Sequence, residues 1–175
     1  MSILIVSCSL NSDSRSRTIA KRVEEILCQM NAPVNFIDLK EINLPFCDGN
    51  SVYTRQEVIT ITEEIEKAQG ILLAVPIYNY NANSVAKNLV ELTGKAWEDK
   101  VVGFVCAAGG ENSYMSIMNL ANCLMLDFRC IILPQFVYVT NKSFEGDCLA
   151  DPEIEKRIQK LTLQLTKVSS ILKKE

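Results

Sequence analysis

The sequence predicts a doubly wound α/β fold: a five-stranded parallel sheet in the order 2-1-3-4-5, with helices on both faces. Two observations carry this. Short β-rich runs at residues 2–8, 33–39, 70–76, 100–107 and 130–139 alternate with stretches of helical periodicity, the pattern of repeated βα units. The runs are also apolar nearly throughout, as in Ile71-Leu72-Leu73-Ala74-Val75, which fits strands covered on both faces. Right-handed crossovers leave few strand orders, and 2-1-3-4-5 is a common one for five strands.

Each intervening stretch carries one apolar stripe at helical spacing. The first helix uses Ile19, Val23, Ile26, Leu27 and Met30. The second, near 55–68, uses Val58, Ile61, Ile65 and Ala68. The third, near 83–93, uses Val85, Leu89 and Leu92, and the fourth, near 114–127, uses Ile117, Leu120, Ala121 and Leu124. The last uses Ile154, Ile158, Leu161, Leu165, Val168 and Leu172. It opens on Asp151-Pro152, an N-cap residue followed by proline at the first helical position.

The chain has 175 residues, of which 48% are hydrophobic and 22% charged. That suits one folded domain over 1–175 with a substantial core. The net charge of −3 gives no global attraction to nucleic acid or an anionic membrane. No apolar run approaches the ~20 residues of a membrane helix. The N-terminus enters Ile3-Leu4-Ile5-Val6 without a basic flank, which reads as a strand and not a signal peptide. Seven cysteines lack any C-x-x-C spacing, and there is no histidine. Reduced thiols in a cytoplasmic protein are the simplest reading. Cys8, Cys28, Cys106 and Cys130 lie in or beside apolar segments and are expected to pack as small hydrophobes. Without histidine, Ser-His and Cys-His nucleophile systems are excluded and a zinc site is disfavoured. Chemistry then rests on other side chains or on a cofactor.

In this strand order, ligands bind beyond the carboxyl ends of strands one, three and four, where the order reverses. Three loops end there. The first, Ser7 to Arg17, holds five serines and two arginines at a helix start. Helix N-terminal N–H groups and these side chains together suit a phosphate. It lacks the glycines of a dinucleotide or Walker loop. Plain helix capping by Ser14 or Ser16 is the alternative. The second loop, Pro76 to Ser84, combines asparagines with Ile77, Tyr78 and Tyr80, which suits the edge and face of an aromatic ring system; a surface turn or a subunit contact is the other reading. The third, Ala107 to Tyr114, contains Gly109-Gly110, which permits close backbone approach by a ligand or serves only as a tight turn.

These residues, in this order, resemble the NADPH-dependent FMN reductase family. The likeness rests on Ser9-x-x-x-x-Ser14-Arg15-Ser16, then Pro76-Ile77-Tyr78-Asn79 followed by Ser84-Val85-Ala86-Lys87-Asn88-Leu89, then Gly109-Gly110. It covers residues 2 to about 140. The resemblance implies a flavodoxin-like fold and an FMN cofactor. It makes Ser9, Asn11, Ser14, Arg15 and Ser16 the phosphate contacts. Pro76, Ile77, Tyr78 and Asn79 would lie along the flavin, with Gly109, Gly110 and Ser113 opposite. Cys8 stands where relatives often have glycine or proline, and Asn11 where many have arginine; Arg15 or Arg17 would then supply the positive partner. No catalytic side chain and no metal are implied, because hydride passes from NADPH or NADH to the flavin itself. The acceptor would be a free flavin, quinone, azo compound or metal oxyanion. The segment Leu44 to Tyr53, with Phe46 and Tyr53, is a candidate wall of the pocket. A homodimer or homotetramer is implied, with the helix carrying Met115, Met118 and Met125 as one candidate contact. A non-enzymatic flavodoxin-type electron carrier and a flavin-free redox-sensing module are the rival readings.

Overall fold

A computed structural model describes residues 2–172; the outer ends of the domain expected over 1–175 lie outside them. In chain order the elements are β1 (Ile3–Ser7), α1 (Arg15–Gln29), β2 (Val34–Asp38), α2 (Gln56–Lys67), β3 (Gly70–Tyr78), β4 (Asn81–Ala82) and α3 (Ser84–Thr93). Then follow β5 (Val101–Ala107), α4 (Met118–Phe128), β6 (Ile131–Ile132), β7 (Val137–Val139), β8 (Phe144–Glu145), β9 (Cys148–Leu149) and α5 (Pro152–Ile171).

Alternation of side chains along the strands divides the core in two. Leu4, Val6, Ile71, Leu73, Val75, Val102 and Phe104 face Ile61 and Ile65 of α2, Leu89 of α3 and Leu120 of α4. Their neighbours Ile3, Ile5, Leu72, Ala74, Val101 and Val105 face Ile19, Val23 and Leu27 of α1 and Ile158, Leu161 and Leu165 of α5. A strand with helices on both sides has no solvated face, so both registers of its side chains are apolar.

The main sheet runs β2-β1-β3-β5-β6, with β4 added to β3 and β7 to β5. This is the expected 2-1-3-4-5 order, carried by seven strands and not five. One addition arises because the run at 130–139 is not continuous. Val101 and Val102 pair with Ile131 and Ile132, and Val105 next pairs with Val137. The sheet partner advances three residues while the outer chain advances five. Pro134 sits in the excursion and has no N–H for the ladder. The other addition is a hairpin in which Tyr78 pairs antiparallel with Asn81. Asn79 and Tyr80 between them have φ of 50° and 60°, the two positive values of a type I′ turn. Strand β3 therefore runs through Pro76, Ile77 and Tyr78, which the sequence places in a loop.

Helix ends follow their caps. Asp151 accepts from the N–H groups of Glu153 and Ile154 at 2.9 and 3.4 Å. Two stripe residues leave the core: Met30 is the exposed C-cap of α1, and Leu172, at the C-cap of α5, is exposed. Of the four cysteines expected to be buried, Cys8, Cys106 and Cys130 are, whereas Cys28 is exposed on α1. Burial raises the Cys8 and Cys106 thiols well above the ordinary range and pushes Cys130 up to about 12, so all three stay protonated and unreactive at neutral pH. Timed alkylation followed by peptide mass spectrometry should label Cys28 and the exposed Cys148 first. It should reach Cys8, Cys106 and Cys130 only in denaturant.

Candidate functional site

Loops one, two and three meet at the carboxyl ends of β1, β3 and β5, as the strand order requires. There they line two adjacent cavities. One, of about 450 Å³, is bounded by Ser9, Asn11, Asp13, Ser14, Arg15, Ser16, Pro76, Ile77, Tyr78, Ala107, Ala108, Gly109 and Asn141. The other, of about 310 Å³, is bounded by Ile77, Asn79, Tyr80, Gly109, Gly110, Asn112 and Ser113. Ile77 and Gly109 belong to both. All twelve residues expected from the sequence border one or the other.

The first cavity is a set of hydrogen-bond donors. Ser14 caps α1: its Oγ accepts from Arg17 N–H at 3.2 Å and lies 3.0 Å from Ser16 Oγ. Two hydroxyls that share one contact use one proton there, which leaves the other for an acceptor in the cavity. Ser9 Oγ accepts from Asn11 N–H at 3.3 Å, and Asn11 Oδ1 accepts from Asp13 N–H at 3.2 Å. Those bonds use acceptor capacity and leave the Ser9 O–H and the Asn11 amide NH₂ to donate. Capping and anion recognition are thus compatible on this loop. Its helix start carries no acidic residue in the first turn, so the positive end of α1 is not neutralised from within.

The two arginines divide the labour. Arg17 does not face the cavity. Its Nε donates to Asp38 Oδ2 at 2.6 Å, Nη2 donates to Ser9 O at 2.6 Å, and Nη1 donates to Asn11 O at 2.5 Å and Ser12 O at 3.2 Å. It therefore gathers the loop carbonyls to itself. Arg15 borders the cavity, donates to Asn141 Oδ1 and lies 4.9 Å over the Phe144 ring. Of the two arginines, Arg15 is the one that borders the cavity.

Two other side chains join the loops. The buried Asn83 donates from Nδ2 to Cys8 O at 2.7 Å, while its N–H donates to Pro76 O at 3.2 Å, so one residue ties the first loop to the second. Tyr138 Oη donates to Gly110 O at 2.5 Å and lies 2.7 Å from Ser113 Oγ, while Tyr114 stacks on Phe136 at 4.9 Å. Ser113 and Gly110 of the third loop are thereby tied to β7. Replacing Asn83 by leucine leaves the Cys8 carbonyl without its donor and removes the cap on the Ala86 N–H, and is expected to cost about 1–3 kcal/mol. Chemical denaturation reads this directly.

Tyr80, expected as apolar surface beside a ring, also lines the site, and so do Asp13, Ala107, Ala108, Asn112 and Asn141, which the sequence did not single out. Asn141 follows β7, the next strand along the sheet, so inspecting a fourth loop would have found it. The expected wall from Leu44 to Tyr53 is corrected. Phe46 borders a separate groove with Leu10, Leu39, Ile42 and Val85, and Tyr53 lies with Val58 and Leu92 between α2 and α3. Asn88 holds that segment against α3 by accepting from Cys47 N–H and donating to Pro45 O, both at 2.9 Å, so it is drawn away from the strand ends. Larger openings exist, of about 540 and 500 Å³, but carboxylates line them: Glu63, Glu66 and Glu91 in one, Glu25, Asp147, Asp151 and Glu155 in the other. Neither suits an anionic ligand.

The model of the NADPH-dependent FMN reductase family matches residues 1–145. The chain belongs to this family. It is 27% identical over 159 residues to an NAD(P)H-dependent FAD/FMN reductase of Geobacillus thermodenitrificans (strain NG80-2), covering 86% of each chain. It is also 27% identical over 180 residues to an NAD(P)H:quinone oxidoreductase of Solanum tuberosum, covering 94% of this chain and 91% of the other. Among solved structures it is similar to FerB, a flavoenzyme NAD(P)H:(acceptor) oxidoreductase from Paracoccus denitrificans, with a TM-score of 0.79, 16% identity and 97% of both chains covered. The fold is flavodoxin-like. The protein is an FMN-dependent NAD(P)H oxidoreductase.

The residues present fit that cofactor. A Cβ added at Gly109 or Gly110 would meet no protein atom within 4 Å, and neither glycine has positive φ. The fold itself does not demand glycine there, so the space these residues keep open is available to a ligand. The second cavity carries no charged side chain, as a flat conjugated ring requires. The first combines hydroxyl, amide and guanidinium donors, as a phosphate requires.

Proposed function

We propose that the two adjacent cavities are the FMN site, with the phosphate at Ser9, Asn11, Ser14, Arg15 and Ser16. The ring would lie along Pro76, Ile77, Tyr78 and Asn79, opposite Gly109, Gly110 and Ser113. The observation that carries this is the polarity of the pair: donors and one guanidinium at one end, an uncharged glycine-lined end at the other. Bound FMN supplies the redox chemistry, accepting hydride from a nicotinamide and returning reducing equivalents to a small acceptor. The protein's part is to hold and to shape. Arg15 neutralises phosphate charge, Arg17 and Asn83 fix the loop that carries it, and Tyr138 fixes the third loop through Gly110 and Ser113. Tyr78 and Tyr80, both exposed, border the open side, where a nicotinamide or an acceptor would enter.

The acceptor is a free flavin, a quinone or a similar small molecule. The single FMN-binding domain spans 1–175 and works as a homodimer or homotetramer in the cytoplasm, without nucleic-acid or membrane partners. Met115, Met125 and Leu126, beside and along α4, are exposed, and burying such apolar side chains favours an oligomer; Met118 instead packs against the core. Among the described residues no helix is long and apolar enough to cross a membrane. The test is NADPH and NADH oxidation by purified protein with FMN added and quinone or flavin as acceptor. Sustained oxidation that depends on FMN supports the reading. Inertness toward both nicotinamides contradicts it.

A further inference from the structure

The phosphate end of the site is unusually weak in positive charge. Among the described residues lining both cavities, Arg15 is the one cation and Asp13 the one anion. Arg17 is committed to Asp38 and to three loop carbonyls, so its charge is spent on the far side of the loop. Lys142, next to Asn141, is paired with Glu111 at 2.9 Å. Asn11 contributes an amide and no charge. The Asp13 backbone N–H is bonded to Asn11 Oδ1, which fixes the residue beside the donors, and no hydrogen bond or ion pair to its carboxylate is seen among the described residues. A phosphate monoester brings about −1.5 to −2 charges. It would meet side chains whose formal charges cancel, with only the helix end and the neutral donors left to favour it.

Resting on the FMN reading above, we infer that Asp13 is a specificity-determining residue that weakens phosphate retention. The site is then built for flavin that exchanges, and it takes unphosphorylated flavin nearly as well as FMN. The neutral second cavity is shared by both ligands and contributes equally to each. Neutral donors at Ser9, Asn11 and the Ser14–Ser16 pair still orient a phosphate or the terminal hydroxyl of a ribityl chain. A phosphate engages more of these donors than one hydroxyl can, and the Asp13 carboxylate offsets part of that preference.

The test is titration of FMN and of riboflavin, followed by quenching of flavin fluorescence, on wild-type protein, Asp13→Asn and Asp13→Ser. Asp13 is exposed in a loop, so both substitutions leave the fold intact, which circular dichroism checks. The expected wild-type dissociation constants lie within about ten-fold of each other. Removing the like charge should tighten FMN by about three- to ten-fold and move riboflavin by less than about two-fold, with the FMN gain shrinking as salt rises. Wild-type FMN binding about a hundred-fold tighter than riboflavin, or an unchanged FMN-to-riboflavin ratio in both variants, overturns the inference and leaves the flavin site standing. Binding of neither flavin overturns both.

Discussion

Replacing Gly109 by leucine is expected to weaken FMN binding by about a hundred-fold while leaving the fold intact. Gly109 borders both cavities, and a Cβ there meets no protein atom within 4 Å. The added Cβ therefore clashes with nothing in the protein. An exposed substitution of this kind changes stability by about 0.5 kcal/mol or less. The four added carbons project from the position where the phosphate end and the ring end of the site join. Forcing a ligand past such an obstruction costs about 1–3 kcal/mol, and the upper end of that range corresponds to the hundred-fold loss. Paired thermal melts and FMN titrations separate the two effects. A variant that melts like the wild type and binds FMN equally well would remove Gly109 from the site.

The second large effect falls on Arg17. Its side chain and that of Asp38 are 13% and 18% exposed, so this is a largely buried pair. Arg17→Met leaves the Asp38 carboxylate without its partner and three loop carbonyls without their donor. Loss of one partner from such a pair costs about 2–4 kcal/mol, visible as a lower denaturant midpoint. FMN affinity should fall about ten-fold as well, because the loop that presents Ser9 and Asn11 loses the anchor that turns its carbonyls away from the cavity. Arg17→Lys should recover part of the stability. A point charge on a flexible stem cannot span a carboxylate and three carbonyls as a planar guanidinium does, so little of the FMN affinity should return.

These two positions also show how far sequence reasoning reaches. Buried strands announce themselves, because Ile71 to Val75 is apolar on both alternating faces and only a covered sheet accommodates that. The strand order then fixed which three loops mattered, and the twelve residues taken from them all border the two cavities. What was not legible depended on contacts far apart in the chain. Nothing local tells an arginine aimed at a ligand from one aimed at its own backbone. Arg17 is the latter because Asp38, 21 residues away, receives it, whereas Arg15 borders the cavity. Asn83 caps α3, and its tie to Cys8 O appears only once β1 and β3 lie side by side. The excursion at Pro134 was signalled by the proline itself, but an apolar run on both sides masked it. Cys28 follows Leu27 directly, and one helical step of about 100° turns it out of the stripe.

Where flavin binds decides whether the two cavities are the working site. At 175 residues the chain is suited to amide mapping by nuclear magnetic resonance, with ¹⁵N-labelled protein titrated with FMN. Shifts are expected to concentrate at Ser9 to Ser16, at Ile77 to Tyr80 and at Ala108 to Ser113, with Asn141 among them and α2 silent. Shifts centred instead on Thr18, Arg22 and Cys148, or on the groove between Leu10 and Phe46, would contradict that placement.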